Sequence, residues 1–139
     1  MKRKPAQRNQ TILIVEDDRE VLDLLIRIIS SKGYTAMKAE RGSQALHIAA
    51  RIRPDLVILD LNLPDCNGIE VLDRLKAIDE TIQVIILTGY GSQEAARSAM
   101  ENGAFDFLTK PFEVHELCAV VREALTSGPP LARKENHYA

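Results

Sequence analysis

Five short apolar runs, each followed by an amphipathic stretch, constrain this chain more than any other feature. The runs are Thr11–Val15, Tyr34–Ala39, Leu56–Leu59, Gln83–Leu87 and Phe105–Leu108. The first, third and fourth are nearly unbroken Val/Ile/Leu segments, the pattern of strands buried on both faces of a parallel sheet. After each run the apolar residues change to helical spacing. The faces are Val21, Leu22, Leu25, Ile26 and Ile29; then Ala45, Leu46, Ala49 and Ile52; then Ile69, Val71, Leu72 and Leu75. The helix punctuation agrees. Asp18 opens the first helix, Gly42 or Ser43 caps the second, and Asn67-Gly68 breaks the chain before the third. Ser92 caps an Ala-rich fourth helix that runs through Asn102. Gly33, Pro54 and Gly103 supply stops. A last helix, Phe112 to Leu125, presents Val114, Leu117, Cys118, Val121 and Leu125.

Strand and helix alternating five times predict an α/β fold. The expected form is a single doubly wound, five-stranded parallel sheet with right-handed crossovers and helices on both faces. The expected strand order is 2-1-3-4-5, a flavodoxin-like (βα)5 arrangement, which sets the first and third strands beside the switch point. Ligands of such sheets bind outside the carboxyl ends of the strands. The residues found there are therefore informative. The first run ends in Glu16-Asp17-Asp18, the third in Asp60, the fourth in Thr88-Gly89, and the fifth in Thr109-Lys110-Pro111. Parallel neighbours would bring these groups to one crevice.

Clustered carboxylates repel one another and recruit a cation or shift their pKa values. Oxygen ligands without His or Cys favour Mg²⁺, which takes one or two carboxylates plus a phosphate oxygen. Lys110 adds a point charge suited to phosphate or carboxylate, and Thr88 adds a hydroxyl. The set reads as a phosphoryl-transfer site with a carboxylate nucleophile, for which Asp60 is the natural candidate. Each element alone has an ordinary reading: Asp17 or Asp18 as a helix cap, Asp60 as a turn residue, Thr88 as a strand-end turn, Lys110 as a solvated loop residue. Their placement at successive strand ends is what favours the joint reading.

The rest of the sequence mostly excludes. Residues 1–10 hold Lys2, Arg3, Lys4 and Arg8 and read as a loose basic leader; without those four the chain carries −6 rather than −2. The folded part is expected over residues 11–127, and residues 128–139, opening Gly-Pro-Pro, read as a linker or tail. No direct nucleic-acid binding is expected. No apolar run approaches the ~20 residues of a membrane span, and the leader lacks the apolar segment of a secretion signal. Cys66 and Cys118 fit neither a metal spacing nor a disulfide scaffold, which suits a reducing cytoplasm. Cys118 falls on an apolar helix stripe and is expected in the core. His47, His115 and His137 share no metal spacing.

The motifs Ile-Val-Glu16-Asp17-Asp18, Leu-Asp60-Leu-Asn62-Leu-Pro64 with Gly68, Leu-Thr88-Gly89-Tyr90 and Phe107-Leu-Thr-Lys110-Pro111-Phe112 resemble the receiver domains of bacterial two-component response regulators. The resemblance runs from about Thr11 to Ser127. The stretch from Thr88 through Phe112 looks most like receivers fused to AAA+ transcription activators. The resemblance implies that Asp60 accepts phosphate from a partner histidine kinase or phosphotransfer protein. It implies Mg²⁺ at Glu16, Asp17 and Asp60, with the Asn62 backbone carbonyl as a further ligand. Thr88 and Lys110 would bind the phosphoryl oxygens. Phe107 matches an aromatic switch position more often Tyr, and Gly89 stands where Ala is commoner. Output would pass through the face made by the Ser92–Asn102 helix, the fifth strand and the last helix, for self-association or an output domain. Such a protein is a phosphoacceptor that assists its own phosphorylation and dephosphorylation rather than an enzyme. A phosphatase with an aspartyl nucleophile would resemble Asp-x-Asp-Gly-Thr after the first strand. A flavin-binding relative would need a Ser/Thr/Gly-rich phosphate loop there. This chain has neither.

Overall fold

The computed structural model describes residues 10–89 and 93–127. Strands and helices alternate as β1 (Thr11–Val15), α1 (Arg19–Ser31), β2 (Thr35–Ala39), α2 (Gly42–Ile52), β3 (Leu56–Asp60), α3 (Gly68–Ile78), β4 (Gln83–Thr88), α4 (Gln93–Glu101), β5 (Asp106–Thr109) and α5 (Val114–Thr126). All four strand pairings are parallel, in the order β2-β1-β3-β4-β5. The α/β fold read from the alternation is the fold observed.

The unbroken apolar runs follow from two cores, one on each side of the sheet. Leu13, Val15, Val57, Leu59, Val84 and Ile86 face α2, α3 and α4, where they meet Ala45, Ala49, Val71, Leu72, Leu75 and Ala99. Their chain neighbours Ile12, Ile14, Leu56, Ile58, Ile85 and Leu87 face α1 and α5, meeting Leu22, Leu25, Ile29, Leu117, Val121 and Ala124. Successive strand residues point to opposite faces, so the middle of a strand covered on both sides is apolar; Gln83 opens β4 as a buried polar residue, its amide donating to the Ala124 carbonyl at 3.2 Å. Every residue of β3 and β4 is buried, whereas the edge strands β2 and β5 are partly exposed. Each fully buried Leu or Ile contributes about 1.5–3 kcal/mol, a reserve against which polar strand ends can be tolerated.

Local chemistry sets most helix ends. Asp18 caps α1, accepting the Glu20 and Val21 N–H groups. Gly33 and Gly103 follow α1 and α4 with φ of 94° and 102°, a region costly for any side chain. Asn67 caps α3 through Ile69 N–H. Several expectations need correction. Neither Gly42 nor Ser43 caps α2: Arg41 is the N-cap residue and offers no side-chain bond. Instead, the Asp65 carboxylate reaches back from the β3–α3 loop to accept the N–H groups of Gly42 and Ser43 at 2.8 and 3.0 Å. Helix α5 begins at Val114, not Phe112. Ile52 and Val114 are exposed rather than core, because each lies in an end turn of its helix. Cys118 is half-buried at the rim of its core. Ser92, the expected α4 cap, Tyr90 and the segments 1–9 and 128–139 lie outside the described residues.

Candidate functional site

The β1, β3 and β4 ends bring the buried polar groups Glu16, Asp60 and Thr88 to one edge of the sheet. Asp60 is the last residue of β3, 3% exposed, and pairs in register with Leu87 of β4. Glu16 follows β1 directly. Its N–H donates to the Ala39 carbonyl at 3.0 Å, which continues the β1–β2 ladder and fixes the carboxylate over the sheet end. Asp17 is exposed beside it. Carboxylate oxygens of Glu16, Asp17 and Asp60 lie within 4.8 Å of one another.

Lys110, one residue past β5, reaches into this cluster. Its ammonium is 2.8 Å from Glu16 Oε1 and 3.2 Å from Asp60 Oδ2. Its backbone N–H donates to the Thr88 carbonyl at 2.7 Å, so β4 fixes where the side chain starts. The Lys110–Pro111 peptide is cis. Asp60 Oδ1 accepts the Asn62 N–H at 3.0 Å, which orients the carboxylate and the loop after it together. The Thr88 hydroxyl is buried and donates to the Gly89 carbonyl at 2.8 Å. The structure thus gathers Glu16, Asp17, Asp60 and Lys110 into direct proximity and puts Thr88 at the next strand end. Phe107 stands apart: it is 38% exposed on β5.

Burial raises the Glu16 carboxyl above the usual carboxylate range, and the Asp60 charge adds to the rise; the Lys110 ammonium and the Asp18 N–H act against it. Burial alone would lower the Lys110 ammonium, but the Glu16 hydrogen bond and the charges of Asp60 and Glu16 outweigh it and hold it above the ordinary lysine value. One cation therefore compensates two buried carboxylates. The compensation is incomplete in geometry. Lys110 is at ion-pair distance from Glu16 Oε1, yet that buried oxygen has no well-aligned hydrogen bond. A buried, poorly satisfied oxygen among hard carboxylate ligands fits a small divalent cation.

Gly68, which the motif after Asp60 already included, packs so closely on the backbone before it that a Cβ there would lie 2.6 Å from Leu61 Cα. One feature had no clear signal in the sequence. Asp65 acts on residues more than twenty positions upstream, a separation no local pattern reports.

A family model for the response regulator receiver domain matches residues 12–122. The chain belongs to this family. Sporulation initiation phosphotransferase F of Bacillus subtilis (strain 168) is 42% identical over 117 residues, covering 84% of this receiver and 94% of that protein. Regulatory protein AtoC of Escherichia coli (strain K12) is 37% identical over 114 residues; the match covers 82% of this receiver but only 25% of that longer protein. The crystal structure of the receiver domain of NtrX from Brucella abortus superposes with a TM-score of 0.80 at 35% identity, covering 84% of this receiver and 99% of that chain. No helix among the described residues is long and apolar enough to cross a membrane.

Proposed function

We propose that this receiver accepts a phosphoryl group on Asp60 from a histidine kinase or phosphotransfer protein in the cytoplasm. The observation that carries the reading is the convergence of Glu16, Asp17, Asp60 and Lys110 at the carboxyl end of the sheet. Glu16, Asp17, Asp60 and the Asn62 backbone carbonyl would hold Mg²⁺. When bound, the ion would neutralise charge on the transferring phosphoryl oxygens.

The chain's own groups account for the rest. An Asp60 carboxylate oxygen attacks phosphorus of a phosphohistidine. A P–O bond forms, the P–N bond breaks, and its electron pair returns to the imidazole nitrogen. The product is an acyl phosphate on Asp60. Lys110, held against Glu16 and Asp60 in this state, is close enough to turn its ammonium to a phosphoryl oxygen on the same carboxylate. The Thr88 hydroxyl exchanges its Gly89 carbonyl for a second phosphoryl oxygen, and the end of β4 moves inward. Phe107 then turns from solvent into the space released. The face formed by α4, β5 and α5 changes, for self-association or for an output domain. Water attack on phosphorus returns free Asp60 and inorganic phosphate; the same groups thus assist both phosphorylation by the donor and dephosphorylation by water.

The likeness to Sporulation initiation phosphotransferase F, over nearly that protein's whole length, favours onward transfer of the phosphoryl group to another protein. The test uses acetyl phosphate and Mg²⁺ as a small donor system. Intact mass should show one added phosphoryl on the wild type and none on Asp60→Asn, which keeps the shape and removes the nucleophile. Equal labelling of both would sink the assignment.

A further inference from the structure

We propose that Asp65 is a positioning residue for the phosphoacceptor site, tethering the β3–α3 loop to α2 so that Asn62 is held beside Asp60; this rests on the function proposed above. The loop Leu61–Asn67 leaves directly from Asp60 and carries the Asn62 backbone. Its base is closed. The Gly68 N–H donates to the Leu61 carbonyl at 3.1 Å, and Asn62 bridges Asn67 antiparallel. A short loop closed at its base can still pivot about that base. The second fixed point is at the tip.

There the two oxygens of Asp65 separately accept the first two N–H groups of α2, Gly42 at 2.8 Å and Ser43 at 3.0 Å. Helix α2 has no cap of its own, so the loop supplies one. Four N–H groups at a helix start lack intrahelical partners, and a carboxylate is favoured there by the helix dipole as well. Those two N–H groups hold the Asp65 carboxyl below the usual range. Packing reinforces the bond. A Cβ on Gly42 would overlap Cys66 Sγ and approach Val71 Cγ2 to 2.9 Å, so the residue after Asp65 sits directly on the helix start. The anchor is rigid because α2 packs Ala45 and Ala49 against the sheet. Asp60, Asn62, Asp65 and α2 thus form one connected path. Asn62 N–H holds Asp60 Oδ1 at its near end, and the helix start holds the far end. Asp65 touches no reacting atom; it acts through the Asn62 backbone.

The effect should appear in metal affinity rather than in the maximum rate. Outer partners of metal ligands commonly change affinity by about 10–100-fold; Asp65 is expected at the low end, about tenfold. Calorimetric titration gives the Mg²⁺ dissociation constant directly, which suits a chain without Trp. Asp65→Ala should bind Mg²⁺ about tenfold more weakly. It should also gain phosphoryl from acetyl phosphate slowly at limiting Mg²⁺ and at the wild-type rate at saturating Mg²⁺. Asp65→Asn keeps one acceptor of the two and should fall between; it decides the matter if the alanine variant does not fold. The control is Gln44→Ala. Gln44 accepts the Glu40 N–H at 2.9 Å and also steadies the start of α2, through a bond that does not involve the loop. That variant should lose stability and keep wild-type Mg²⁺ affinity. If the Asp65 variants bind Mg²⁺ as tightly as wild type, or Gln44→Ala weakens binding as much, the tether has no positioning role. A wild type that neither binds Mg²⁺ nor is labelled on Asp60 would overturn both this inference and the function beneath it. Normal wild-type behaviour with unaffected Asp65 variants would overturn the tether alone.

Discussion

Replacing Lys110 with Met removes an ammonium and keeps most of its stem. In the structure that ammonium faces Glu16, whose side chain is 1% exposed, and Asp60, at 4%. Stripping one partner from a fully buried ion pair costs about 3–5 kcal/mol, because the remaining charge stays desolvated. Lys110 itself is 27% exposed, so solvent screens part of the pair and the expected loss is about 2–3 kcal/mol. The loss should depend on pH. Burial already raises the Glu16 carboxyl, and without the ammonium it must rise further. A carboxyl with a folded pKa above its unfolded value favours folding at low pH and loses that contribution as pH rises through the folded value. The deficit of Lys110→Met should therefore narrow toward acid and widen toward neutrality. Magnesium gives the sharper discrimination. An ion bound only by the folded state adds about 1.4 kcal/mol at ten times its dissociation constant. The wild type offers its carboxylates an internal cation that must give way, and the variant does not. At one fixed millimolar Mg²⁺ concentration, Lys110→Met should gain more stability than wild type. Urea unfolding followed by circular dichroism, in EDTA and in Mg²⁺ with Ca²⁺ alongside, measures both terms. Equal gains in the two proteins would refute the idea that ammonium and metal compete for the same oxygens. Equal stability in EDTA would refute the claim that the ion pair compensates buried charge.

Two further outcomes follow from single contacts. Thr88→Ala should still be phosphorylated but should confine the response: with beryllofluoride, amide shifts in the variant should stay near Asp60, whereas in wild type they reach α4, β5 and α5. A full response in the variant would remove Thr88 from the coupling route. Lys76 donates to the Ile82 and Glu80 carbonyls at 2.6 and 3.3 Å, and burial lowers its amine from 10.5 to about 8 against the pull of Asp79 and Glu80. Between those two values the unfolded chain binds the extra proton, so this group makes stability rise with pH. Urea midpoints of wild type should climb relative to Lys76→Met across that window; parallel curves would show that Lys76 is as solvated in the fold as outside it.

The sheet was legible because its central strands are covered on both sides and therefore run apolar through residues 12–15, 56–59 and 84–87 before a polar residue closes each run. That same rule made Asp60 and Glu16 conspicuous: a carboxylate directly after Ile58-Leu59 or Ile14-Val15 has to sit at a strand mouth. The convergence of four groups then followed from parallel neighbours. What the pattern could not give was where each covering element stops. Ile52 and Val114 have the right periodicity for their helices, but sit in end turns where less of the core reaches them. Helical spacing reports a direction around the axis, not the extent of the partner. The cap of α2 failed for a different reason. Gly42 and Ser43 are good local candidates, yet the acceptor comes from Asp65, brought there only by tertiary packing. The exposure of Phe107 goes with the edge location of β5, which is a property of the sheet order and not of neighbouring residues.

The two ends of the sheet differ in how much chain length they tolerate. At the end opposite the carboxylates, Gly33 and Gly103 close their turns with bonds only to their own helices, at Ser30 and Met100. A peptide tag of a few residues inserted beside Gly33, where a Cβ would meet nothing within 4 Å, changes the reach of a surface turn; beside Gly103 it would also disturb the Lys76 stem packed there. The same tag between Pro64 and Asp65 lengthens a loop that is fastened at both ends, and the added slack is delivered to Asn62 and Asp60. Anyone building a sensor from this domain has its fluorophore site at the first end, beside Gly33. The loop after β3 is a calibrated spacer, and its residue count is part of the chemistry.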